Sequence, residues 1–326
     1  MEDLDRIFNI ALLAATLRTT APILLVALGG TFTTKAGIFN IGLEGQMLMG
    51  AFFGVLGSIW TGSAWGGLLC GVAAAMTFAA TFSLFVVTFR ANEVVVGLAL
   101  NILAGGLTIS LTKAIFGVRG SIVNNGIVGL PRIDLPGEDL LGPLERVLSN
   151  HTPLIYVSFI LVFVVWLILF RTKFGLHVRV TGEKPEAAEA LGISTARMQH
   201  LASLCCGLLA GLAGVHLSLG YITMFAENMS AGRGFMAVAV LIFSAGDPGK
   251  VLAGCLLFGL SDAISLRLQS FGLSSYLVLM VPYLITLGAL FALTVHQRPR
   301  IFRETLQSLN VMKEGAFAST KRKTSK

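Results

Sequence analysis

Charge is what this chain has least of. Charged side chains make up 13% of its 326 residues, against about 25% in an average soluble domain, and that excludes a soluble fold. Cysteine is also scarce. Cys70, Cys205, Cys206 and Cys255 all lie in apolar runs, without the spacing of a disulfide framework or zinc site, and read as buried thiols. The histidines at 151, 177, 200, 216 and 296 are scattered, with neither an HExxH pair nor a nucleophile elbow. That excludes the common metalloprotease and hydrolase arrangements. A glycine-rich turn, GDPGK at 246–250, lacks the P-loop spacing and carries Val251 where Ser or Thr would hold a metal ion, so no ATP site is visible. The N-terminal MEDLDR is acidic and has no basic region ahead of an apolar core, so a removable signal peptide is not expected.

Apolar residues fill the space that charge leaves. They amount to 55% of the chain, and the mean hydropathy is +0.81. The runs have helix length and do not alternate, which predicts an all-α integral membrane protein and not a β-barrel. Spans are expected at 8–30 (interrupted by Arg18 and Pro22), 46–60, 64–89, 92–115, 152–170, 196–221, 250–269 and 275–295, with a short one at 232–245. Eight to ten segments in a polytopic bundle are the expectation. The net charge of +7 is concentrated at 171–184 and in the tail at 296–326, so it reports topology by the positive-inside rule rather than nucleic-acid binding. The chain thus divides into a membrane domain at 1–295 and a basic cytoplasmic tail. The domain includes an extracytoplasmic loop at 117–151 and a cytoplasmic loop at 171–195.

Polar residues inside apolar runs mark candidate sites. The stretch 29–50 holds six glycines with Lys35, Asn40 and Glu44 among them, a poor lipid-facing helix. It reads as a broken or re-entrant element beside a pathway, or alternatively as a plain cytoplasmic loop. Glu93, Gly97 and Asn101 recur every four residues, with Thr108 and Thr112 close to the same face; such a stripe lines a pathway or makes interhelical hydrogen bonds. Asp262 shares a helix face with Ser265 and Gln269, and an intramembrane aspartate is either functional or paired within the bundle. In the cytoplasmic loop, Pro185 suits a first helical position, Glu186 suits the positive end of the helix dipole, and Gly192 suits a C-terminal cap. The short helix presents Ala187, Ala188, Ala190 and Leu191. A helix of two turns is marginal alone in water, so it is either a docking element for a cytoplasmic partner or an ordinary interfacial helix.

Three blocks carry a resemblance. RTKFGLHVRVTGEKPEAAEALGI at 171–193, AGIFNIGLEGQMLMGAFFG at 36–54 and ANEVVVGLALN at 91–101 are similar to permeases of ABC importers of the branched-chain amino acid, ribose and nucleoside class. Most specific is the NIGLEG core at 40–45, and the one departure in the loop is Lys184 where Asn is common. The likeness extends over most of 15–295 and is greatest to the second permease of a nucleoside or simple-sugar importer. It implies a multi-pass protein of the bacterial cytoplasmic membrane with a cytoplasmic C-terminus. It further implies separate ATPase subunits, a different permease as heterodimer partner, an extracytoplasmic substrate-binding lipoprotein, and no cofactor or catalysis in this chain. By the same resemblance Asn40, Glu44, Glu93 and Asn101 line the substrate pathway, with Asp262 a further candidate, and Glu183, Pro185, Glu186, Ala187, Ala188, Leu191 and Gly192 couple to the ATPase. A proton- or ion-coupled secondary transporter, with Glu93 or Asp262 titrating, is the alternative from the residues alone, and a channel is a third reading that the lack of repeated charged rings disfavours.

Overall fold

The computed structural model describes residues 10–124, 126–133 and 149–270, with the single positions 280, 284 and 288. Helix α1 (Ile10–Lys35) is followed by α2 (Leu43–Thr61), α3 (Ala64–Ser83, extended by wide π turns over Leu84–Thr88) and α4 (Glu93–Phe116). A loop with strand β1 (Ser121–Ile122) leads to α5 (Pro153–Arg171) and then to α6 (Lys173–Glu183) and α7 (Pro185–Ala190). The last described elements are α8 (Thr195–Val215, extended by π turns over His216–Tyr221), β2 (Phe225–Ala226), α9 (Arg233–Ser244) and α10 (Pro248–Ser270). Among the described residues, six helices are long and apolar enough to cross a membrane. The protein is an all-α, polytopic membrane protein. The span expected at 275–295 is outside the described residues except at three positions, and the tail at 296–326 lies wholly outside them. Two units divide the chain, Met1–Ile264 and Ser265–Lys326, and the site lies in the first.

Local punctuation explains where the helices begin and end. Asn92 accepts hydrogen bonds from the Val94 and Val95 amides and so starts α4, while Asp247 does the same for Gly249 and Lys250 ahead of α10. Each satisfies amides that a helix start leaves open. Proline stands at the start of α5 and α7, where its missing N–H is harmless. Gly62 and Gly117 close α2 and α4 in the left-handed conformation.

Burial separates an inner layer from a lipid-facing one. Within the spans of α1 and α8, 72% of the best window is buried, against 22% for α4, where Ile102 is 77% exposed. α8 runs antiparallel to α1: Gln199 bonds the Ala36 carbonyl at one end, and Arg18 and His216 line one cavity at the other. Small residues set the closeness of α2 to α8. A methyl on Gly50 would lie 2.9 Å from the Gly211 Cα, and one on Gly211 would lie 2.7 Å from the Val72 Cα of α3, the dispersion-driven packing that membrane helices use.

Two expectations change here. Arg18 and Pro22 do not interrupt the first span, because α1 continues to Lys35. Residues 19–28 are buried throughout, and surrounding helices let a membrane helix keep an interior proline. Gly29 and Gly30 are helical for a packing reason, since a methyl on Gly29 would meet the Cys206 carbonyl at 2.9 Å. The irregular stretch therefore shrinks from 29–50 to residues 36–42.

Candidate functional site

Residues 36–42 turn back into the bundle. The Ala36 carbonyl is bonded by Gln199 of α8, and Asn40 reaches Cys206 of the same helix, its Nδ2 3.4 Å from Sγ. Seven residues of helix separate these two contacts, a climb of about 10 Å at 1.5 Å per residue. Unpaired backbone is costly at such depth, and side chains supply the partners. The Phe39 N–H donates to Glu93 Oε2 at 2.8 Å, and the Gly42 N–H to Asn40 Oδ1 at 2.9 Å. Asn101 serves both directions, donating from Nδ2 to the Ile41 carbonyl at 3.0 Å and accepting the Gly45 N–H at 2.7 Å. Between Glu93 and Asn101, Gly97 lets α4 press directly on Gly42: a methyl there would lie 2.9 Å from the Gly42 nitrogen. Four-residue spacing on α4 is thus a fitted seam. Its side chains hydrogen-bond the backbone of 36–42 and the first turn of α2.

Beside the seam a half-length helix begins inside the protein. α9 has only 12 residues, too few to span a bilayer. Glu44, in the first turn of α2, accepts the Gly232 N–H on Oε1 at 2.8 Å and the Gly234 N–H on Oε2 at 2.6 Å. A carboxylate is well placed there, because the start of a helix carries open amides and partial positive charge. Gly234 is required by the closeness of this contact, since a methyl would fall 2.6 Å from the Glu44 backbone. The neighbouring Arg233 pairs with Asp262 of α10, Nη2 to Oδ2 at 3.0 Å, both side chains less than a fifth exposed. Asp262 is therefore paired within the bundle. Around the same elements, Gln46 Nε2, Ser230 Oγ and Arg233 Nε are buried without a hydrogen-bond partner among the described residues.

The structure brings Asn40, Glu44, Glu93 and Asn101 together at this break, with Asp262 reaching it through Arg233. Sequence reading missed Arg233, Gln199 and Gln46. The Gly-Arg-Gly at 232–234 was the available signal for the first, a cation between flexible residues at the head of a short apolar run.

α6 and α7 touch the other end of the break. Gly182 packs on it so closely that a methyl would lie 2.7 Å from the Gly37 nitrogen and 3.0 Å from the Ala36 carbonyl carbon, and would collide with the Lys35 carbonyl oxygen. Gly37 itself has φ +79°, the left-handed region that favours glycine. α7 ends in a Schellman motif: the Ile193 N–H donates to the Ala188 carbonyl, the Gly192 N–H to the Glu189 carbonyl, and Gly192 has φ +77°. Its outer face is open. Ala188 is fully buried against the protein and Leu191 is 76% exposed, while Glu183, Pro185, Glu186, Ala187, Ala190 and Gly192 are also exposed. The apolar residues expected on a single face thus split, with Ala188 anchoring the helix and the others facing out.

The chain as a whole is similar to known proteins. A family model for the permease component of branched-chain amino acid transport systems matches residues 12–290. The chain belongs to that permease family. The permease is 33% identical over 304 residues to a guanosine ABC transporter permease protein of Bacillus subtilis, covering 88% of this chain and 93% of the relative. It is 35% identical over 271 residues to a putative glucose ABC transporter permease protein of Haloferax volcanii, covering 82% and 80%. A second guanosine ABC transporter permease protein of Bacillus subtilis is 27% identical over 292 residues, covering 83% of the permease and 79% of the relative. No solved structure matches the permease. It is a multi-pass membrane transport component and not itself an enzyme by family.

Proposed function

We propose that this permease forms part of the translocation pathway of an ABC importer for nucleosides, with simple sugars the neighbouring substrate class. The observation that carries the reading is the likeness to the guanosine permease protein, which extends over 93% of that relative. Two guanosine permease proteins of one organism both resemble this chain, which supports a heterodimer with a second, different permease. ATP hydrolysis then belongs to separate subunits, a lipoprotein delivers substrate from outside, and the site is the bacterial cytoplasmic membrane with the C-terminus inside.

Geometry supports a route for coupling. An ATPase docks on the exposed face of α7, through Pro185, Glu186, Ala187, Leu191 and Gly192, with Glu183 at its edge. Movement of α7 passes through α6 to the Gly182–Gly37 contact and so to the stiff strut at 36–42. The upper end of that strut is held by Asn40, Glu93 and Asn101, and Glu44 links it to the buried start of α9. Polar groups at this level, Gln46 and Ser230 among them, suit the hydroxyls and ring nitrogens of a nucleoside. Helix starts near the bilayer middle are a recurrent way to build a transport site.

Uptake of labelled guanosine tests this in cells expressing the neighbouring transport genes, with and without the permease, under an uncoupler that spares ATP. Uptake that requires the chain and survives the uncoupler is expected. Uptake that collapses with the proton gradient would overturn the ATP-driven reading.

A further inference from the structure

At the end of the bundle remote from α7 lies a partly open cavity of about 40 Å³. Arg18 of α1 and Arg132 of the loop line it, with Asn150, Thr152, His216 and Tyr221 among the other lining residues and no aspartate or glutamate among the described residues. It is separate from the strut and from α7, and the transport route described above makes no use of it.

Its chemistry is one-sided. Arginine offers five donors and no acceptor, and no carboxylate of the described residues pairs with Arg18 or Arg132. Among the described residues, the one hydrogen bond of the Arg18 guanidinium runs from Nε to the Ala14 carbonyl of its own helix, at 3.4 Å. His216 adds a third group. Its ring is 1% exposed, with Nδ1 3.3 Å from Thr152 Oγ1. On the other side, Nε2 is buried without a hydrogen-bond partner among the described residues. The Arg18 carbonyl, whose helical donor Pro22 removes, interacts with this ring, yet no hydrogen bond of ordinary geometry joins them. The π turns at the end of α8 bring His216 and Tyr221 to the same space, and such turns recur at functional sites.

Size narrows the ligand. One water occupies roughly 10–15 Å³ on this measure, so the cavity holds about three oxygen atoms and excludes a whole nucleoside. Two arginines lining a space of that size, neither paired with a carboxylate of the described residues, offer donors that match the fork geometry of a carboxylate or phosphate group.

We propose that this cavity is an oxyanion-binding site, held by Arg18 and Arg132, that takes a carboxylate or phosphate group. The oxyanion is either free in solution or carried on a phosphorylated form of the transported compound.

Isothermal titration of the purified full chain, in complex with its partner subunits, tests the site without any transport step, so its outcome is independent of the guanosine uptake result. Inorganic phosphate is expected to bind saturably, at least tenfold more weakly to Arg18→Gln and to Arg132→Gln. Arg18→Lys and Arg132→Lys keep the charge, lose the fork, and are expected to weaken binding while preserving the fold. Guanosine monophosphate binding at least tenfold tighter than phosphate assigns the site to a substrate-borne group. Equal affinities assign it to free oxyanions, and displacement of phosphate by acetate extends it to carboxylates. Absence of binding by phosphate, acetate and guanosine monophosphate would overturn the proposal, as would glutamine and lysine variants that all titrate like the native chain.

Discussion

Replacing Gly182 with alanine adds one methyl group at the contact between α6 and the foot of the strut. That methyl would sit 2.7 Å from the Gly37 nitrogen and 3.0 Å from the Ala36 carbonyl carbon, where ordinary contact begins near 3.4 Å. These atoms and the nearer Lys35 carbonyl oxygen are backbone and cannot rotate away, so α6 must back off by roughly 1 Å, an overpacking that costs about 1–3 kcal/mol. The exposed face of α7 is untouched, because Gly182 points inward and Leu191 outward. If the strut carries the motion, the same energy appears in the coupling step. A change of about 1–3 kcal/mol corresponds to roughly 5–150-fold in rate. The assay is guanosine uptake per ATP hydrolysed in proteoliposomes holding the whole complex, beside ATPase co-purification and a thermal melt. The expected result is retained ATPase association, a modestly lowered melting temperature, and uptake per ATP reduced at least fivefold. Gly182→Ala with native uptake per ATP would refute the strut as the route.

Asn101→Ala strips partners from the Gly45 N–H and the Ile41 carbonyl, each costing about 1–3 kcal/mol when left unpaired; a clear fall in melting temperature and loss of uptake are expected, and a native melting curve would contradict the seam. Ala188→Pro removes the N–H that donates to the Lys184 carbonyl and costs about 3 kcal/mol. The variant is expected to insert in the membrane but fail to co-purify with the ATPase, and normal co-purification would remove the docking role of α7. Asp262→Ala strands Arg233, with a loss of about 3–5 kcal/mol if the pair is fully buried and less at the 16% and 17% exposure seen here. Arg233→Met combined with Asp262→Leu is expected to recover much of the lost melting temperature, and no recovery would argue against simple pairing.

Much of this architecture is legible in the sequence because lipid makes strong demands. Apolar length alone located α4 and α5 to within a residue or two, and Pro185 marked its own helix start. Long-range contacts were less readable. Six glycines at 29–50 suggested irregular backbone over the whole stretch, yet Gly29, Gly30, Gly45 and Gly50 are helical and exist to admit neighbouring helices. Spacing put Glu93 and Asn101 on one face but could not show that both face the backbone of 36–42. The partner of Asp262 lies 29 residues away on another helix, a pairing no periodicity reveals. In α7, four small apolar residues read as one face, whereas the end of α6 turns Ala188 alone inward.

The central claim is that ATP hydrolysed on separate subunits drives a nucleoside through this permease. Guanosine uptake into proteoliposomes containing the complete complex and the delivery protein, with no ion gradient, tests it most directly. The account predicts uptake with hydrolysable ATP at the ATPase face and none with a non-hydrolysable analogue. Uptake that ignores ATP and follows an imposed proton gradient would contradict it.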